Sequence, residues 1–127
     1  MSNKQIISTE NAPQAIGPYS QAVKVGTTVY LSGQIPLVAT TMTMIEGGIE
    51  AQAEQVFKNL AAVANAAGGS LANAVKLNIS LTDLADFAQV NDVMTRHISQ
   101  PYPARACVQV AALPKDAGIE VEAILEL

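Results

Sequence analysis

The sequence predicts one α+β domain, in which six strands form a sheet and two helices pack on one face of that sheet. Three observations carry this prediction. Two segments repeat apolar residues at spacings of three and four, which is the period of a helix. Six other segments are short and either rich in β-branched residues or alternate apolar with polar positions, as strands do. Residues 1–127 suffice for one hydrophobic core but not for two.

Three strands are predicted in the first third of the chain. Residues 5–10 form a weak strand candidate, and the Pro and Gly residues that follow, at 13, 17 and 18, predict a long ordered loop. Residues 23–25 and 28–32 flank the Gly26-Thr27 pair, and this arrangement predicts a hairpin.

A helix and a fourth strand are predicted next. The apolar residues of the helix share one stripe, and Gly68-Gly69 predicts its end. This stripe consists of Ile49, Ala53, Val56, Leu60, Val63 and Ala67. On the opposite face, Glu54 and Lys58 are spaced as an i,i+4 ion pair. Residues 75–82 then alternate strictly between apolar and polar side chains, which predicts a half-buried strand.

The second helix is predicted to begin after Asp83, whose side chain is suited to cap it. Pro101 and Pro103 lie beyond its end. Its apolar stripe consists of Leu84, Phe87, Val90, Met94 and Ile98. We therefore expect all five of these side chains to face the core.

Two strands close the chain, at residues 104–110 and 119–126. Arg105 and Cys107 project from one face of the first strand, and Glu120 and Glu122 share a face of the second, so we expect one sheet face to carry the arginine and the carboxylates. If these strands pair as a hairpin, Arg105 lies near Glu126 and roughly 15–20 Å from Glu120, at about 3.4 Å per residue. One subunit could hardly bring Arg105 and Glu120 together, so either they serve different purposes or a second copy supplies one of them.

The composition excludes several classes of protein. A net charge of −4, three Tyr, two Phe and no Trp argue against a binder of nucleic-acid backbones or stacked bases. The chain has no run of apolar residues long enough for a transmembrane helix and no apolar segment of a secretory signal, so we expect a cytoplasmic protein. Only 14% of the residues are charged, which leaves an unusually apolar exterior and predicts self-association.

Few residues of the chain are suited to chemistry. Arg105 is suited either to a surface or interface ion pair or to bidentate binding of a small carboxylate. Cys107 is the only cysteine, which excludes a disulfide framework, and it is either a small buried hydrophobe or a nucleophile. His97, the only histidine, lies in the last turn of the second helix, where it stabilises the helix dipole or takes part in catalysis.

Three polar positions leave two interpretations open. Tyr19 lies in a loop restrained by Pro and Gly, where its ring is either a packed anchor or faces a ligand. The Ser32-Gly33-Gln34 segment either presents backbone N–H groups to an anion or is a plain turn. Asn91 lies on or beside the buried stripe of the second helix, where it makes a capping or core hydrogen bond or faces a ligand. The nucleotide, metalloprotease and serine-hydrolase motifs are all absent from the sequence.

Taken together, the motifs of the chain resemble those of the RidA family, also called the YjgF or endoribonuclease L-PSP family. Seven segments carry the resemblance, in the order of the family and over nearly the whole chain. They are Asn11-Ala12-Pro13, Gly17-Pro18-Tyr19-Ser20-Gln21-Ala22, Ser32-Gly33-Gln34-Ile35-Pro36, Phe87-Ala88-Gln89-Val90-Asn91, Pro103-Ala104-Arg105-Ala106-Cys107-Val108, Leu113-Pro114 and Ile119-Glu120-Val121-Glu122-Ala123. The chain departs from the family between residues 37 and 44, which are apolar and rich in Thr and Met, and at Glu54, where an arginine is common.

The resemblance implies a chorismate-mutase-like α+β fold with a six-stranded mixed sheet, assembled as a homotrimer with three clefts between subunits. It also implies hydrolytic deamination of reactive 2-imino acids, such as 2-iminopropanoate and 2-iminobutanoate, to 2-oxo acids and ammonia. These imines arise from enamines that PLP-dependent serine/threonine dehydratases release. The resemblance implies no cofactor and no metal ion.

The resemblance also implies roles for individual residues. Arg105 holds the carboxylate of the substrate, and Glu120 polarises the attacking water or shuttles protons. Tyr19 packs on the substrate, and the remaining residues line the cleft. These lining residues are Ser32, Gly33, Asn91 and the backbone of Cys107.

Two other functions compete with the deaminase. A binding or sensor module for 2-oxo acids would use Arg105 without turnover, so the activation of water by Glu120 distinguishes it from an enzyme. An endoribonuclease or translation inhibitor, suggested by the older family name, fits poorly with the acidic composition and the few aromatic residues.

Overall fold

The computed structural model describes residues 3–127, which form six strands and two helices in the predicted order. The strands are β1 (Lys4–Ile7), β2 (Ala22–Val25), β3 (Thr28–Gln34), β4 (Ala74–Leu81), β5 (Ala104–Gln109) and β6 (Ile119–Glu126), and the helices are α1 (Ile49–Ala66) and α2 (Phe87–His97). The first strand begins and ends earlier than residues 5–10, the range predicted from the sequence.

All six strands join one mixed sheet in the order β1-β2-β3-β6-β4-β5. The β4 and β5 strands are parallel, and every other neighbouring pair is antiparallel. The expected hairpin of the last two strands is therefore wrong, because β4 lies between β5 and β6. The crossover through α2 brings β5 back beside β4 at the edge of the sheet, as parallel pairing requires.

The two helices pack on one face of the sheet, as predicted, and enclose the core. The buried side of α1 contributes Val56, Phe57, Leu60 and Val63, each 0% exposed. The sheet contributes apolar side chains of β1, β2, β3, β4 and β6, including Leu77 and Ile79 of β4. The apolar residues that alternate in β5, Ala104, Ala106 and Val108, are exposed instead. Burial of the core side chains removes the most apolar surface from water and is the largest stabilising term of the fold.

Two predictions for the helices are wrong. Leu84 and Phe87 belong to the predicted apolar stripe of α2, but they are 44% and 36% exposed, whereas Val90 and Met94 are buried. Asp83 caps a single 3₁₀ turn, by accepting the Ala85 N–H at 2.9 Å, and this turn leads directly into α2.

The expected pair of Glu54 and Lys58 is replaced by a contact between helices. Glu54 accepts a hydrogen bond from Arg96 at 2.9 Å and pairs with His97 at 2.7 Å. The His97 ring also stacks on Phe57, with 5.6 Å between the ring centroids. His97 therefore fastens α2 to α1, far from the polar residues of the sheet.

The other face of the sheet carries no helix among the described residues. Apolar side chains on this face remain half exposed, including Ile6 at 53%, Tyr30 at 51% and Val108 at 51%. In residues 3–127, neither helix combines the length and apolar character needed to cross a lipid bilayer. The open face fits the sequence-based expectation of an apolar exterior that a second copy covers.

Candidate active site

A cleft of about 480 Å³ opens on the uncovered side of the sheet, beside Glu120. Three parts of the chain enclose it: the loop between β1 and β2, the end of β3 with the segment that follows, and the turn before β6 together with the first residues of that strand. Its lining residues are Pro13, Gln14, Ile16, Tyr19, Ser32, Gly33, Gln34, Ile35, Leu37, Pro114, Lys115, Glu120 and Glu122. Of the residues singled out from the sequence, the cleft brings together Tyr19, Ser32, Gly33 and Glu120.

The carboxyl group of Glu120 rests directly against Gly33. A Cβ atom added at Gly33 would lie 2.9 Å from Cδ and 3.0 Å from Cγ and Oε1 of Glu120, which is closer than real contacts permit. The glycine therefore leaves the space that this carboxyl group occupies. This space, which we call the seat of the Glu120 carboxyl group, explains why a residue without a side chain stands at this point of β3.

The electrostatics of the cleft favour the protonated form of Glu120. Burial raises the pKa of this carboxyl above its ordinary value of 4.5, and the negative charge of Glu122 raises the pKa further. Glu122 lies on the same face of β6 and is held by Asn78, whose Nδ2 donates to Oε1 at 3.0 Å. A carboxyl whose pKa is shifted toward neutrality is suited to accept and return protons.

The end of β3 is a bulge, and Ser32 and Gly33 lie in it. Leu31 pairs with Ala123, whereas Gln34 pairs with Val121, so two residues of β3 face one residue of β6. The Ser32 N–H donates to the carbonyl of Gln21 at 3.0 Å, and its hydroxyl donates to the carbonyl of Ser20 at 2.6 Å. The bulge therefore anchors the loop that carries Tyr19, and the Ser32 N–H is not available to an anion.

Tyr19 forms part of the wall of the cleft opposite β6. Its ring is packed against Gly17, where a Cβ atom would lie 3.5 Å from two ring carbons, and its N–H donates to the Gly17 carbonyl at 2.8 Å. The residue is nevertheless 50% exposed. The ring is thus anchored on one side, and because the residue remains accessible in the cleft, its contact with a ligand stays a prediction.

Arg105 lies in a second, separate cavity of about 370 Å³ between β5 and α2. Its Nη1 donates to Oδ1 of Asn91 and lies 3.7 Å from the sulfur of Met94. Its guanidinium group lies over the ring of Phe87, 5.1 Å from the centroid, which gives the exposed position of Phe87 a role. The other residues of this cavity are Thr95, Tyr102 and Pro103. Within the described residues no carboxylate pairs with Arg105.

The expectation that Arg105 and the carboxylates share one face of the sheet is wrong. Arg105 is level with Leu77 of β4, which points to the helices, whereas Glu120 is level with Ser80 on the open face. The expected position of Arg105 near Glu126 is wrong for the same reason, since Ala123 is the β6 residue paired with Leu77. The two residues therefore lie on opposite faces, two strands apart, and one subunit cannot bring them together.

Cys107 follows Arg105 on the same face of β5 and packs against the core. Burial raises the pKa of its thiol, and the nearby charge of Arg105 only partly opposes this shift. The thiol is therefore protonated at neutral pH, which favours the buried-hydrophobe interpretation over the nucleophile. Groups of three or more metal-ligating side chains do not occur among residues 3–127.

The sequence did not single out several residues that shape the cleft. Ile16 supplies an apolar wall beside Pro114 of the Leu113-Pro114 segment, and Lys115 stands in the turn before β6 with a φ of 56°. Asn59 of α1 is 1% exposed and donates to the Leu37 carbonyl at 2.9 Å, which fixes a further wall. One signal for Asn59 was present in the sequence: a polar residue within an apolar helical stripe indicates a buried hydrogen bond.

Comparison with known proteins places the chain in a family. Residues 9–127 match the family model for endoribonuclease L-PSP. The chain belongs to the endoribonuclease L-PSP family. A RidA crystal structure from an Antarctic Psychrobacter species is 58% identical, with a TM-score of 0.94 over 97% of this chain and 99% of that chain. The predicted six-stranded α+β fold and the family are therefore confirmed.

Two curated relatives bear the name 2-iminobutanoate/2-iminopropanoate deaminase. The protein of Dermatophagoides farinae is 51% identical over 98% of this chain and 98% of its own length. The human protein is 45% identical over 95% of this chain and 88% of its own length. Both matches extend over the strands and loops that form the cleft and the Arg105 cavity.

Proposed function

We propose that this protein hydrolyses 2-imino acids, such as 2-iminopropanoate and 2-iminobutanoate, to 2-oxo acids and ammonia. The observation that carries the proposal is a half-buried carboxyl group of raised pKa in a cleft, on a chain whose only site arginine lacks a carboxylate partner within residues 3–127. The names of the relatives with nearly full-length matches support the same reaction.

The proposed reaction needs one positioned water and one group that moves protons. Water adds to the electrophilic imine carbon, a C–O bond forms, and the π electrons of the C=N bond pass to nitrogen. Glu120 accepts a proton from the water and returns it to nitrogen, which gives a carbinolamine. Glu120 then takes the proton of the new hydroxyl group and delivers it to nitrogen as the C–N bond breaks, so that ammonia leaves and the C=O bond forms. Much of the rate enhancement comes from holding the imine and the water in this geometry.

The remaining residues position the substrate in this proposal. Arg105 binds the carboxylate through its planar fork and is itself held by Asn91. Tyr19 packs on the substrate, and Ser32 and Gly33 line the cleft. The backbone of Cys107, which lies in β5 with Arg105, lines the site from the side of the arginine. The apolar walls suit a short aliphatic side chain.

A complete site requires two copies of the chain, because Arg105 and Glu120 lie on opposite faces of one sheet. We infer a homotrimer with three sites, in which the Arg105 cavity of one copy closes the Glu120 cleft of the next. The half-exposed apolar side chains of the open face supply a surface for this contact. This arrangement adopts one of the two sequence-based alternatives, in which a second copy supplies one of the two residues.

The substrate would come from PLP-dependent serine/threonine dehydratases, which release enamines that tautomerise to 2-imino acids. Such a role fits a cytoplasmic enzyme that needs neither a cofactor nor a nucleic-acid partner. The direct test supplies the enamine with a serine/threonine dehydratase and follows the release of 2-oxo acid. We expect the purified protein to accelerate this release above the rate in buffer, and no acceleration would overturn the proposal.

Substitution Glu120→Gln separates an enzyme from a sensor of 2-oxo acids. If Glu120 moves protons, the variant releases 2-oxo acid more slowly and still binds 2-oxobutanoate, as measured by calorimetry. Loss of binding would show that Glu120 holds the ligand instead. Wild-type binding without turnover would identify the sensor.

A further inference from the structure

The side chain of Gln21 is buried just before β2 and is 3% exposed. Its Oε1 accepts the N–H of Thr9 at 2.7 Å. Its Nε2 donates to the carbonyls of Thr9 at 3.0 Å and Pro13 at 2.8 Å, with the Ala12 carbonyl at 3.3 Å. The amide thus uses all its donors and acceptors on one segment of irregular backbone, residues 9–13.

This segment leads into one wall of the Glu120 cleft. Pro13 lines the cleft directly, and Ile16 and Tyr19 follow it in the same loop. Residues 8–21 contain no helix or strand, so no regular ladder of backbone hydrogen bonds sets their position. The Gln21 amide supplies what such a ladder would supply, since buried backbone groups must find partners.

The backbone of the same residue is fastened to the opposite wall. The Gln21 carbonyl accepts the N–H of Ser32 at 3.0 Å, and the neighbouring Ser20 carbonyl accepts the Ser32 hydroxyl at 2.6 Å. Ser32 adjoins Gly33, the seat of the Glu120 carboxyl group. One residue therefore links the Tyr19 wall to the Glu120 wall.

We propose that Gln21 is a positioning residue, which sets the distance between the Tyr19 loop and the Glu120 carboxyl group through five hydrogen bonds to residues 9–13 and Ser32. The inference rests on the proposed function, because the distance matters only if both walls contact one substrate. Gln21 itself does not line the cleft. Its effect on the reaction passes entirely through the two walls.

A residue that only stabilised the fold would act differently. Its replacement would lower the melting temperature and leave the geometry of the folded cleft unchanged. Val63 offers a matched control, because it is 0% exposed in α1 and does not line the cleft. Replacement Val63→Ala removes buried apolar contacts and lowers stability without touching either wall.

The test compares Gln21→Met, Gln21→Glu and Val63→Ala with the wild type. Met keeps the length of the side chain and loses its four hydrogen bonds to residues 9–13, whereas Glu keeps one oxygen for the Thr9 N–H and sets a second oxygen against the carbonyls of Thr9 and Pro13. We expect kcat/KM to fall about 10-fold to 100-fold in Gln21→Met, because small displacements of reacting groups have effects of this size. Gln21→Glu should lose at least as much, because an ionised carboxylate cannot donate to the Thr9 and Pro13 carbonyls, and Val63→Ala should keep the wild-type kcat and KM while melting at a lower temperature.

Several outcomes decide the matter. Wild-type kcat and KM in a folded Gln21→Met protein would overturn the inference. If Gln21→Met does not fold, unchanged kinetic constants in Gln21→Glu would overturn it equally. A wild-type protein without deaminase activity would instead overturn the proposed function, which the dehydratase-coupled assay reveals before any variant is made.

Discussion

The Glu120 cleft and the Arg105 cavity differ in how completely one chain builds them. The cleft has walls on three sides, a seated carboxyl group and a bulge that anchors its loop. The Arg105 cavity is smaller and lies at the sheet edge, where a cation rests on an aromatic ring and an amide and has no carboxylate partner among the described residues. The difference supports our proposal that each region supplies one half of a shared site, the first a group that moves protons and the second a cation for a charged ligand.

Loss of the Arg105 cation should have the largest effect on the activity of the proposed shared site. For Arg105→Ala we expect kcat/KM to fall about 30-fold to several thousand-fold, because loss of one partner of a desolvated charge pair costs about 2–5 kcal/mol. Steady-state kinetics with dehydratase-generated imines measure the effect. Arg105→Lys keeps the charge but not the planar fork and should recover only part of the rate. Full activity in Arg105→Ala would remove the arginine from the site.

A methyl group at the seat of Glu120 should have a smaller effect. In Gly33→Ala the new Cβ forces the Glu120 carboxyl group to move, and we expect kcat to fall about 10-fold because the proton-transfer group is displaced. The clash meets the end of a flexible side chain, so the melting temperature should change little. Gly48→Ala is the matched control, since a Cβ there meets nothing within 4 Å. Equal kcat values in Gly33→Ala and Gly48→Ala would contradict the claim that the space at Gly33 positions the Glu120 carboxyl group.

The smallest effect is expected on stability, when the charge of Glu120 is removed by the substitution Glu120→Gln. A carboxyl whose pKa is raised by folding contributes stability below its unfolded pKa, and that contribution is lost as the pH rises through the higher folded pKa. At pH 7 the free energy of unfolding of Glu120→Gln should therefore exceed that of the wild type. The difference should be less than about 1 kcal/mol, because the group is partly exposed to solvent. The difference should vanish below pH 4.5, the ordinary pKa of the group. Thermal melts across this range measure it, and a stabilised wild type at pH 7 would contradict the raised pKa.

The periodicity of the sequence predicted where the strands lie better than it predicted which strands pair. The alternation of residues 75–82 and 119–126 identified β4 and β6 and their buried sides, because the period of two fixes which residues share a face within a strand. It does not fix which strands pair, and the insertion of β4 beside β6 reversed the face expected for Arg105. That choice depends on the crossover through α2, a contact between distant parts of the chain.

Single side chains were predicted where their chemistry is local and missed where it is not. The family motifs singled out Glu120 and Arg105 as candidate site residues, whereas the buried amide of Gln21 lies within a motif but gave no sign of its partners eight to twelve residues earlier. Phe87 was expected in the core on spacing alone, and it is exposed because it supports Arg105. Long-range hydrogen bonds and cation–π contacts leave no periodic pattern in a sequence.

The central claim is that each site joins Glu120 of one copy to Arg105 of another. Mixed assemblies of Arg105→Ala and Glu120→Gln subunits test it most directly, after the two variants are denatured and refolded together. If the site is shared, about one cleft in four pairs an intact Glu120 with an intact Arg105 in randomly mixed cyclic assemblies, so about a quarter of the wild-type rate should return. A mixed sample no more active than the mean of the two separate variants would show that each copy carries its own complete site.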